Sequence, residues 1–426
     1  MSDGPTLRLP TGMRDFAPQA TAARRRIAET LLGVFERWGF ARVITPAFEY
    51  EDVLALGLGG AGRAAAIRFV EPSSGQVVAL RPDITPQIAR LIATRFREET
   101  GAVRLCYEGT VVRLERGARG QRELIQAGVE LAGVTGPQGD AEVIALGAAA
   151  LQEAGLGRPT IDLGHLGLAR EVLDAVDLPS SDRARARRCI GKRDGTGLEA
   201  VLASARGSKA AVNFAALLPE LSGPPSILAA ARKKAPTPGV RRALADLQAI
   251  VDALGGRQVK ARVHVDLGEV RGFDYYTGVR VQGFVEGAPD AVLKGGRYDD
   301  LLGRYGRPSP AVGFAIDVEA AAGALEARAR GDSGTSGGGD GGPLIGDGNG
   351  IGVLVVGPVV LALRTAEELR AVGKRAVAEL CGLQGAELAA YARRWGFSEI
   401  VRVKGIREQG ARIRRGAGAS RREEQE

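Results

Sequence analysis

The chain has 426 residues, of which 45% are hydrophobic and 25% are charged. This length and composition predict a soluble protein of two or three domains with hydrophobic cores. The longest apolar runs fall well short of the roughly 20 residues that a membrane-spanning helix needs, and the first residues lack the basic and apolar segments of a signal peptide. We therefore expect a cytoplasmic protein with no membrane contact.

The basic balance and the rare reactive residues exclude several kinds of site. The formal net charge is +8, but much of it lies in "SSDRARARRCIGKRD" and in the last residues, and such patches are more often solvated surface than nucleic-acid contacts. Cys106, Cys189 and Cys381 lie far apart without metal-ligand spacing, which predicts neither a disulfide nor a zinc site. His165 and His264 have no Ser, Cys or second ligand beside them in the sequence, so we predict no nucleophilic triad and no metal site.

The N-terminal part alternates between helical and strand patterns. Apolar residues three or four apart predict a helix from Thr21 to Trp38, which Gly39 ends. "ARVITPAFE" then predicts a strand, and "IRFVEPSSGQVVALRPD" predicts two strands around a turn. Thr85 and Pro86 are typical of an N-cap and a first helical position, which predicts a helix over "PQIARLIATRF".

Two long strands follow between Val103 and Leu131, joined by the turn "GARG". Because side chains alternate along a strand, Arg122, Gln126 and Glu130 lie on one face of the second strand. This face is either the solvated side of an antiparallel sheet or part of a binding site, and the strand alone does not distinguish the two.

The remaining sequence predicts an insertion, a linker and a small C-terminal unit. Helical spacing from about Leu166 to Gly256 predicts a helical insertion, and "ARVHVDL" predicts a strand after it. "GDSGTSGGGDGGPLIGDGNG" predicts a flexible linker. Beyond it, "GVLVV" and "EIVRV" predict strands, while "ALRTAEELRAVGKRAVAEL" and "GAELAAYARRWG" predict helices. The expected organisation is a discontinuous core at 1–165 and 260–325, a helical insertion at 166–259, a Gly-rich linker at 326–350, a short α/β unit at 351–405 and a disordered basic tail at 406–426.

Polar aromatic residues are concentrated in one region. "RGFDYYTG", from Arg271 to Gly278, combines a guanidinium, a carboxylate and two phenols, and Tyr298 and Tyr305 follow closely in a chain with seven tyrosines. A solvated surface does not require such a concentration, so it favours a binding pocket.

In their order along the chain, these segments resemble the catalytic core of class II histidyl-tRNA synthetases over roughly Leu9 to Ala320. The matching motifs are "LPTGMRDFAP", "ERWGFARVITPAFE" for the dimer-forming first motif, "LRPDITPQIAR", "VVRLERGARGQRELIQAGVE" for the second motif, "VRGFDYYTG" and "KGGRYDDLL". The resemblance implies an α+β fold in which an antiparallel sheet flanked by helices binds histidine and ATP.

The resemblance also implies a histidine site, position by position. Phenols and a carboxylate suit the imidazole ring, a guanidinium suits the ligand's carboxylate, and oxygen acceptors suit its ammonium group. The implied residues are Tyr275, Tyr276 and Glu130 for the ring, Arg271 or Arg113 for the carboxylate, and Asp83, Thr85 and Gln126 for the ammonium group. Each matches the family in residue type except Asp83, which replaces a glutamate. Three structural alternatives stay open: Thr85 as a helix cap, Tyr276 as a core residue and Asp274 as a brace for its turn.

The ATP half of the motif set departs from the family. Class II synthetases normally end their third motif with Gly-x-Glu-Arg, whose arginine binds the terminal phosphates. Here Asp317 replaces the glycine and Ala320 replaces the arginine, in "VGFAIDVEAAAGAL". The second-motif loop "RGARGQRE" is also one residue shorter than the family's and lacks its Pro-Gln pair. We therefore expect a degenerate ATP site and lost aminoacylation.

A chain that keeps amino-acid recognition and loses this chemistry resembles the regulatory subunits of ATP phosphoribosyltransferase, which are synthetase paralogues. In that group, regulatory dimers form a hetero-octamer with a short-form catalytic subunit and confer inhibition by L-histidine on the first step of histidine biosynthesis. The resemblance implies a non-catalytic subunit with no cofactor and no tRNA binding. One alternative is a divergent histidyl-tRNA synthetase that activates histidine with ATP, and another is a synthetase-like RNA sensor.

Overall fold

The computed structural model describes residues 8–114, 120–256, 260–272, 275–331, 352–395, 397–404 and 407–412. Most of the predicted "GARG" turn, most of the predicted linker, Asp274 and the end of the basic tail lie outside the described residues. The described residues form two compact units, one within 1–36 and 40–340 and the other within 37–39 and 341–426. Within the described ranges, no helix combines the length and apolar character needed to cross a membrane.

The helices and strands are numbered in chain order. The helices are α1 (Pro18–Arg37), α2 (Glu51–Gly57), α3 (Gly60–Ala65), α4 (Thr85–Arg95), α5 (Pro137–Leu151), α6 (Leu166–Val176), α7 (Ser180–Lys192), α8 (Gly195–Leu202), α9 (Lys209–Leu217), α10 (Ile227–Lys234), α11 (Pro238–Gly255), α12 (Val318–Gly331), α13 (Val359–Ala371) and α14 (Gly385–Arg394), with a π-helical turn at Gln152–Leu156 and a 3-10 turn at Leu302–Tyr305. The strands are β1 (Ala41–Arg42), β2 (Phe48–Tyr50), β3 (Arg68–Val70), β4 (Val77–Leu80), β5 (Val103–Val112), β6 (Glu123–Ala132), β7 (Thr160–His165), β8 (Ser222–Gly223), β9 (Arg262–Asp266), β10 (Val279–Phe284), β11 (Leu293–Arg297), β12 (Ala311–Asp317), β13 (Gly352–Val356), β14 (Ala376–Ala378), β15 (Phe397–Lys404) and β16 (Arg407–Arg412).

A large sheet forms the centre of the first unit. Its strand order is β1-β5-β6-β12-β11-β10-β7-β9-β8. Neighbouring strands from β5 through to β7 run antiparallel, whereas β1 pairs parallel with β5 and β9 pairs parallel with β7. The architecture confirms the predicted α+β class, with a mainly antiparallel sheet flanked by helices.

Helix α5 covers the middle of this sheet and was not predicted. Its segment "AEVIALGAAAL" is apolar on almost every side and is almost wholly buried, because the helix packs between the sheet and α11. A helix that is buried all round lacks the one-sided apolar stripe by which an amphipathic helix is identified.

Two N-terminal predictions were wrong in detail. "ARVITPAFE" forms two short strands that belong to different sheets, β1 beside β5 and β2 beside β4, and Pro46, which has no N–H donor, lies between them. Thr85 is not the N-cap of α4, because the helix begins at Thr85, Ile84 occupies the cap position and no side chain caps the helix. The hydroxyl of Thr85 is therefore available for another partner.

Helices α6 to α11 occupy the chain between β7 and β9. Since β7 and β9 are parallel neighbours, the chain leaves and re-enters the sheet at adjacent strands. The short strand β8 comes from within this helical segment and extends the sheet beyond β9. The helical segment and the sheet thus belong to one compact unit.

The second unit has a sheet of order β14-β13-β15-β16, in which the first three strands are parallel and β16 is antiparallel. The predicted helix over "ALRTAEELRAVGKRAVAEL" was too long. Helix α13 ends at Ala371, Gly373 adopts a φ of 80° that ordinary residues avoid, and Ala376–Ala378 forms the buried strand β14. Strand β16 lies within the range predicted to be a basic tail.

Candidate functional site

A cavity of about 310 Å³ is lined by residues of β6, β10, β11 and β12 and by the loops beside them. This volume lies near the lower end of the roughly 300–1,000 Å³ typical of small-molecule sites. Most of the predicted site residues line it: Asp83, Thr85, Arg113, Gln126, Tyr275, Tyr276, Asp317 and Ala320. Segments far apart in the sequence therefore meet at one small polar cavity.

Strand β6 supplies two of the predicted residues from one face. Gln126 pairs with Asp317 of β12, and Glu130 pairs with Gly313. Because side chains alternate, Gln126 and Glu130 point to the same side of the sheet. They are only 8% and 3% exposed, so the interpretation of this face as solvated is wrong for these two residues.

Gly313 leaves the space that Glu130 occupies. A Cβ atom on residue 313 would lie 1.7 Å from Glu130 Oε2 and 2.4 Å from the carbonyl oxygen of Val129. Neither distance is compatible with a side chain. The glycine of β12 is therefore required by the packing of the buried carboxylate rather than by an unusual backbone angle.

Glu130 lies behind the cavity wall, and its carboxyl group accepts hydrogen bonds from three hydroxyl groups. Thr85 Oγ1 donates to Glu130 Oε1 at 2.7 Å and Tyr107 OH donates to the same oxygen at 3.3 Å. Tyr298 OH donates to Oε2. Thr85 and Tyr298 also line the cavity. When Glu130 is ionised, these hydroxyls turn their hydrogens toward the carboxylate, and those of Thr85 and Tyr298 present lone pairs to the cavity.

The surroundings of Glu130 change the pKa of its carboxyl group in both directions. Burial raises its pKa well above the usual range, the nearby charge of Asp83 raises it further, and the hydrogen bonds from Thr85 and Tyr107 act in the opposite direction. A cationic ligand beside Thr85 would favour the ionised form. The site thus has a built-in preference for positive charge at this end of the cavity.

Two buried polar atoms in the cavity wall lack protein partners. Among the described residues, Gln126 Oε1 and Tyr275 OH are buried and make no hydrogen bond of acceptable geometry. An unsatisfied buried polar group costs about 1–3 kcal/mol. Burial raises the pKa of the Tyr275 phenol well above its usual range, so the group is a neutral donor. One unused acceptor and one unused donor indicate contacts that a polar ligand can make.

The tyrosines form one aromatic wall. The ring of Tyr275 lies 5.0 Å from that of Tyr276 and 5.6 Å from that of Tyr298, between ring centroids. The backbone N–H groups of Tyr275 and Tyr276 both donate to the carbonyl oxygen of Gly272 at 3.0 Å. Gly272 has a φ of 73°, and this turn aims both phenols at the sheet. Tyr276 is half-buried and lines the cavity.

Two guanidinium groups line the cavity, and one of them was not predicted. Arg113 lines it as expected, with Nε donating to the carbonyl oxygen of Pro82 at 2.8 Å. The second is Arg280 of β10, which the motif analysis did not single out. Arg271 does not line this cavity. It borders a separate cavity of about 150 Å³ and donates to Glu269 and Gln282.

The cavity wall also contains the two positions predicted to be degenerate. Asp317 Oδ1 accepts a hydrogen bond from the backbone N–H of Ala320 at 2.9 Å. The aspartate therefore caps the first turn of α12, and its carboxylate remains in the cavity wall. Ala320 lines the cavity without offering any charge to it.

Glu319, the glutamate of the third motif, forms ion pairs with two arginines of the N-terminal segment. Arg14 Nη2 donates to Glu319 Oε2 at 2.6 Å, and Arg24 Nε donates to both oxygens at 3.1 and 2.9 Å. Both guanidinium groups also stack over the ring of Phe16, 4.6 and 4.2 Å from its centroid. Glu319 is buried, so its charge is neutralised inside the protein and does not face the cavity.

His264 has neighbours that its sequence context did not indicate. Its Nδ1 lies 2.8 Å from Asp162 Oδ1, and its Nε2 lies 3.4 Å from Ser222 Oγ. Ser222 Oγ also accepts from Arg193 at 3.1 Å. These side chains join β7, β9 and β8, three neighbouring strands of the sheet. The order of these strands does not follow from local sequence patterns, so the sequence did not indicate this hydrogen-bonded chain.

Known proteins with similar sequences identify the family of this chain. Residues 12–321 match the family described as Histidyl-tRNA synthetase. The chain is 43% identical to the ATP phosphoribosyltransferase regulatory subunit of Geobacter sulfurreducens over 75% of this chain and 73% of that one. It is 42% identical to that of Anaeromyxobacter dehalogenans over 75% of this chain and 92% of the relative.

Solved structures give the same result. An ATP phosphoribosyltransferase regulatory subunit/histidyl-tRNA synthetase from Bacillus halodurans C superposes with a TM-score of 0.70 at 26% identity, covering 94% of this chain and 99% of the other. Histidyl-tRNA synthetase from Nostoc sp. PCC 7120 shares the fold, with a TM-score of 0.63 at 18% identity, covering 93% of this chain and 91% of that one. The chain belongs to the histidyl-tRNA synthetase-like family, and within it to the ATP phosphoribosyltransferase regulatory subunits.

Proposed function

We propose that this protein is a non-catalytic subunit that binds L-histidine in the cavity and conveys feedback inhibition to a short-form catalytic chain of ATP phosphoribosyltransferase. The observation that carries the proposal is the composition of one cavity. Groups suited to an amino acid line it at Thr85, Gln126 and Tyr275, and the positions suited to ATP phosphates in synthetases carry Asp317 and Ala320.

Histidine matches the donors and acceptors of this cavity. Its ammonium group and one ring N–H are donors, and they meet Asp83, Gln126 Oε1 and the oriented hydroxyl of Thr85. Its other ring nitrogen accepts from a phenol such as that of Tyr275. Its carboxylate has guanidinium groups available on the same cavity. This matching supports a histidine site rather than a general amino-acid site.

ATP matches the end of the cavity wall formed by Asp317 and Ala320 poorly. Removal of one guanidinium that stabilises developing charge typically costs a factor of about 10² or more in rate. At this end a carboxylate, Asp317, lies in the wall, and Ala320 offers no cation to replace the missing arginine. We therefore expect histidine-dependent ATP–pyrophosphate exchange and tRNA charging to be absent.

Feedback inhibition requires only linkage between two conformations of the complex. Histidine must bind one conformation more tightly, and such coupling typically amounts to about 1–3 kcal/mol. We propose that the regulatory chain acts in the cytoplasm as a dimer within a hetero-octamer, with the short catalytic chain as its partner.

The deciding experiment is an assay of ATP phosphoribosyl transfer by the short catalytic chain, with and without this protein, across a histidine titration. We expect activation that histidine reverses. No effect, together with no association of the two proteins, would contradict the proposal. In that case pyrophosphate exchange with histidine and ATP tests the divergent synthetase, and a salt-dependent RNA gel shift tests the RNA sensor.

A further inference from the structure

Arg280 is a buried cation on the wall of the main cavity. Its side chain is only 10% exposed, and it projects from β10 between β7 and β11. Burial lowers its pKa and the carboxylate of Glu269 raises it. The guanidinium nevertheless stays charged, because arginine does not lose its proton in proteins.

Much of the hydrogen-bonding capacity of Arg280 is unused. Its Nη1 donates to Glu269 Oε2 at 2.5 Å. Among the described residues, its Nε and Nη2 have no hydrogen-bond partner. A planar guanidinium with one nitrogen fixed and others free is arranged to receive two oxygens of a carboxylate.

The charge balance around Glu269 leaves a positive charge for a ligand. Arg271 Nη2 donates to Glu269 Oε2 at 2.6 Å, so two guanidinium groups share one carboxylate. These three side chains together carry one net positive charge. Arg271 is 59% exposed and borders the other cavity, so of the two cations on Glu269 only Arg280 lines the main cavity.

Arg113 is the competing candidate, and its position is less favourable. It also lines an outer cavity of about 500 Å³ that includes the glycine-rich segment 58–62, whereas Arg280 lines the inner cavity. An ion pair in the more enclosed position is less screened by solvent.

We infer that Arg280, held in place by Glu269, binds the carboxylate of the effector, in place of the Arg271 or Arg113 that the synthetase resemblance implies. This inference rests on the proposed histidine site. On this inference, Arg280 is the residue that makes the site bind an amino acid more tightly than the corresponding amine, which lacks the carboxylate.

The test compares L-histidine with histamine, which lacks only the carboxylate. Both ligands are titrated calorimetrically into the full chain as wild type, Arg280→Gln and Arg271→Gln. We expect the wild type to prefer histidine by about 10- to 100-fold, the effect of a charge-assisted carboxylate contact. We expect Arg280→Gln to bind histamine as before and to lose this preference, and Arg271→Gln to keep it.

The Arg271→Gln variant is the matched control, because it also removes a guanidinium from Glu269 but lies outside the main cavity. Circular dichroism and retained histamine binding establish that Arg280→Gln is folded. If it is not, Arg280→Lys serves instead, because it keeps the charge and loses the planar fork, and we expect a reduced preference.

Two outcomes overturn different claims. If the wild type binds histidine and its preference over histamine survives Arg280→Gln, or is lost in Arg271→Gln instead, the role of Arg280 is wrong. If the wild type binds neither ligand, the proposed histidine site is itself wrong.

Discussion

Thr85 donates its hydroxyl to Glu130 across 2.7 Å, joining the first turn of α4 to the middle of β6. The residue that sequence rules assign to a helix cap instead stabilises a buried carboxylate. This pairing places a polar group of α4 in the wall of the cavity. The stability of the site therefore depends on the position of helix α4.

Replacing Thr85 by valine removes this donor without changing the shape of the side chain. We expect the free energy of unfolding to fall by about 1–3 kcal/mol, because a buried carboxylate loses a hydrogen bond. Urea denaturation measures the change. The control is Thr94→Val on the same helix, whose exposed hydroxyl bonds only to the backbone of its own helix. Equal effects of the two substitutions would contradict a special role for Thr85.

A methyl group on Gly313 should displace Glu130. The Cβ atom would lie 1.7 Å from the carboxylate and 2.4 Å from a backbone oxygen, so Gly313→Ala should cost about 1–3 kcal/mol in stability and weaken histidine binding. Gly303→Ala is the control, since its Cβ atom would meet no atom closer than 3.8 Å. Thermal unfolding and calorimetry check both effects, and a neutral Gly313→Ala would show that Glu130 can move at little cost.

His165 should make the protein acid-sensitive. Its Nδ1 accepts a hydrogen bond from the N–H of Leu168 at 3.1 Å, and burial lowers its pKa from 6.5 to about 4. Between these values the unfolded chain binds more protons than the folded protein, so stability falls as the pH falls from 6.5 to 4. A shift of this size corresponds to about 3 kcal/mol.

The variant His165→Asn keeps an acceptor for Leu168 and removes the titrating ring. We expect the loss of stability between pH 6.5 and 4 to be smaller in this variant by about 3 kcal/mol. Urea denaturation across this pH range measures the difference. Parallel pH profiles for the two proteins would mean that His165 is protonated as readily in the folded state as in the unfolded state.

Replacing Tyr276 should weaken inhibition by histidine without weakening activation of the catalytic chain. We expect Tyr276→Ala to raise the histidine concentration for half-maximal inhibition by about 10-fold or more, because the ring wall of the cavity is lost. Activation of the catalytic chain should remain. Tyr276→Phe keeps the ring and shows how much the hydroxyl contributes. Equal loss of activation and inhibition in Tyr276→Ala would argue against a separable sensor.

The sequence predicted the fold class, and it pointed to residues that line one cavity of the structure. The motifs identified Asp83, Gln126 and Tyr276 because resemblance to a family preserves the order of functional segments along the chain. The sequence did not indicate Arg280 as a site residue, because it lies in an ordinary strand pattern and a charged residue in a strand usually faces solvent. In the structure its side chain is only 10% exposed, which the strand pattern does not indicate.

Local rules failed where tertiary contacts decide the outcome. Thr85 has the residue type of a helix cap, but its hydroxyl donates to the buried carboxyl group of Glu130 instead. Helix α5 shows no amphipathic pattern because it is covered on every side. Strand β14 was assigned to a helix because its three residues, Ala376 to Ala378, have no strand periodicity of their own.

The strand order has a consequence for how the protein is made. Strand β12 ends at Asp317, yet it lies between β6 and β11 in the centre of the sheet. A nascent chain that has not reached Ala311 therefore exposes unpaired edges on both β6 and β11, which are templates for aggregation. The ion pairs of Arg14 and Arg24 with Glu319 also cannot form before this part of the chain has been synthesised. During synthesis, the first unit is thus expected to remain incomplete, and in need of protection, until roughly three quarters of the chain has left the ribosome.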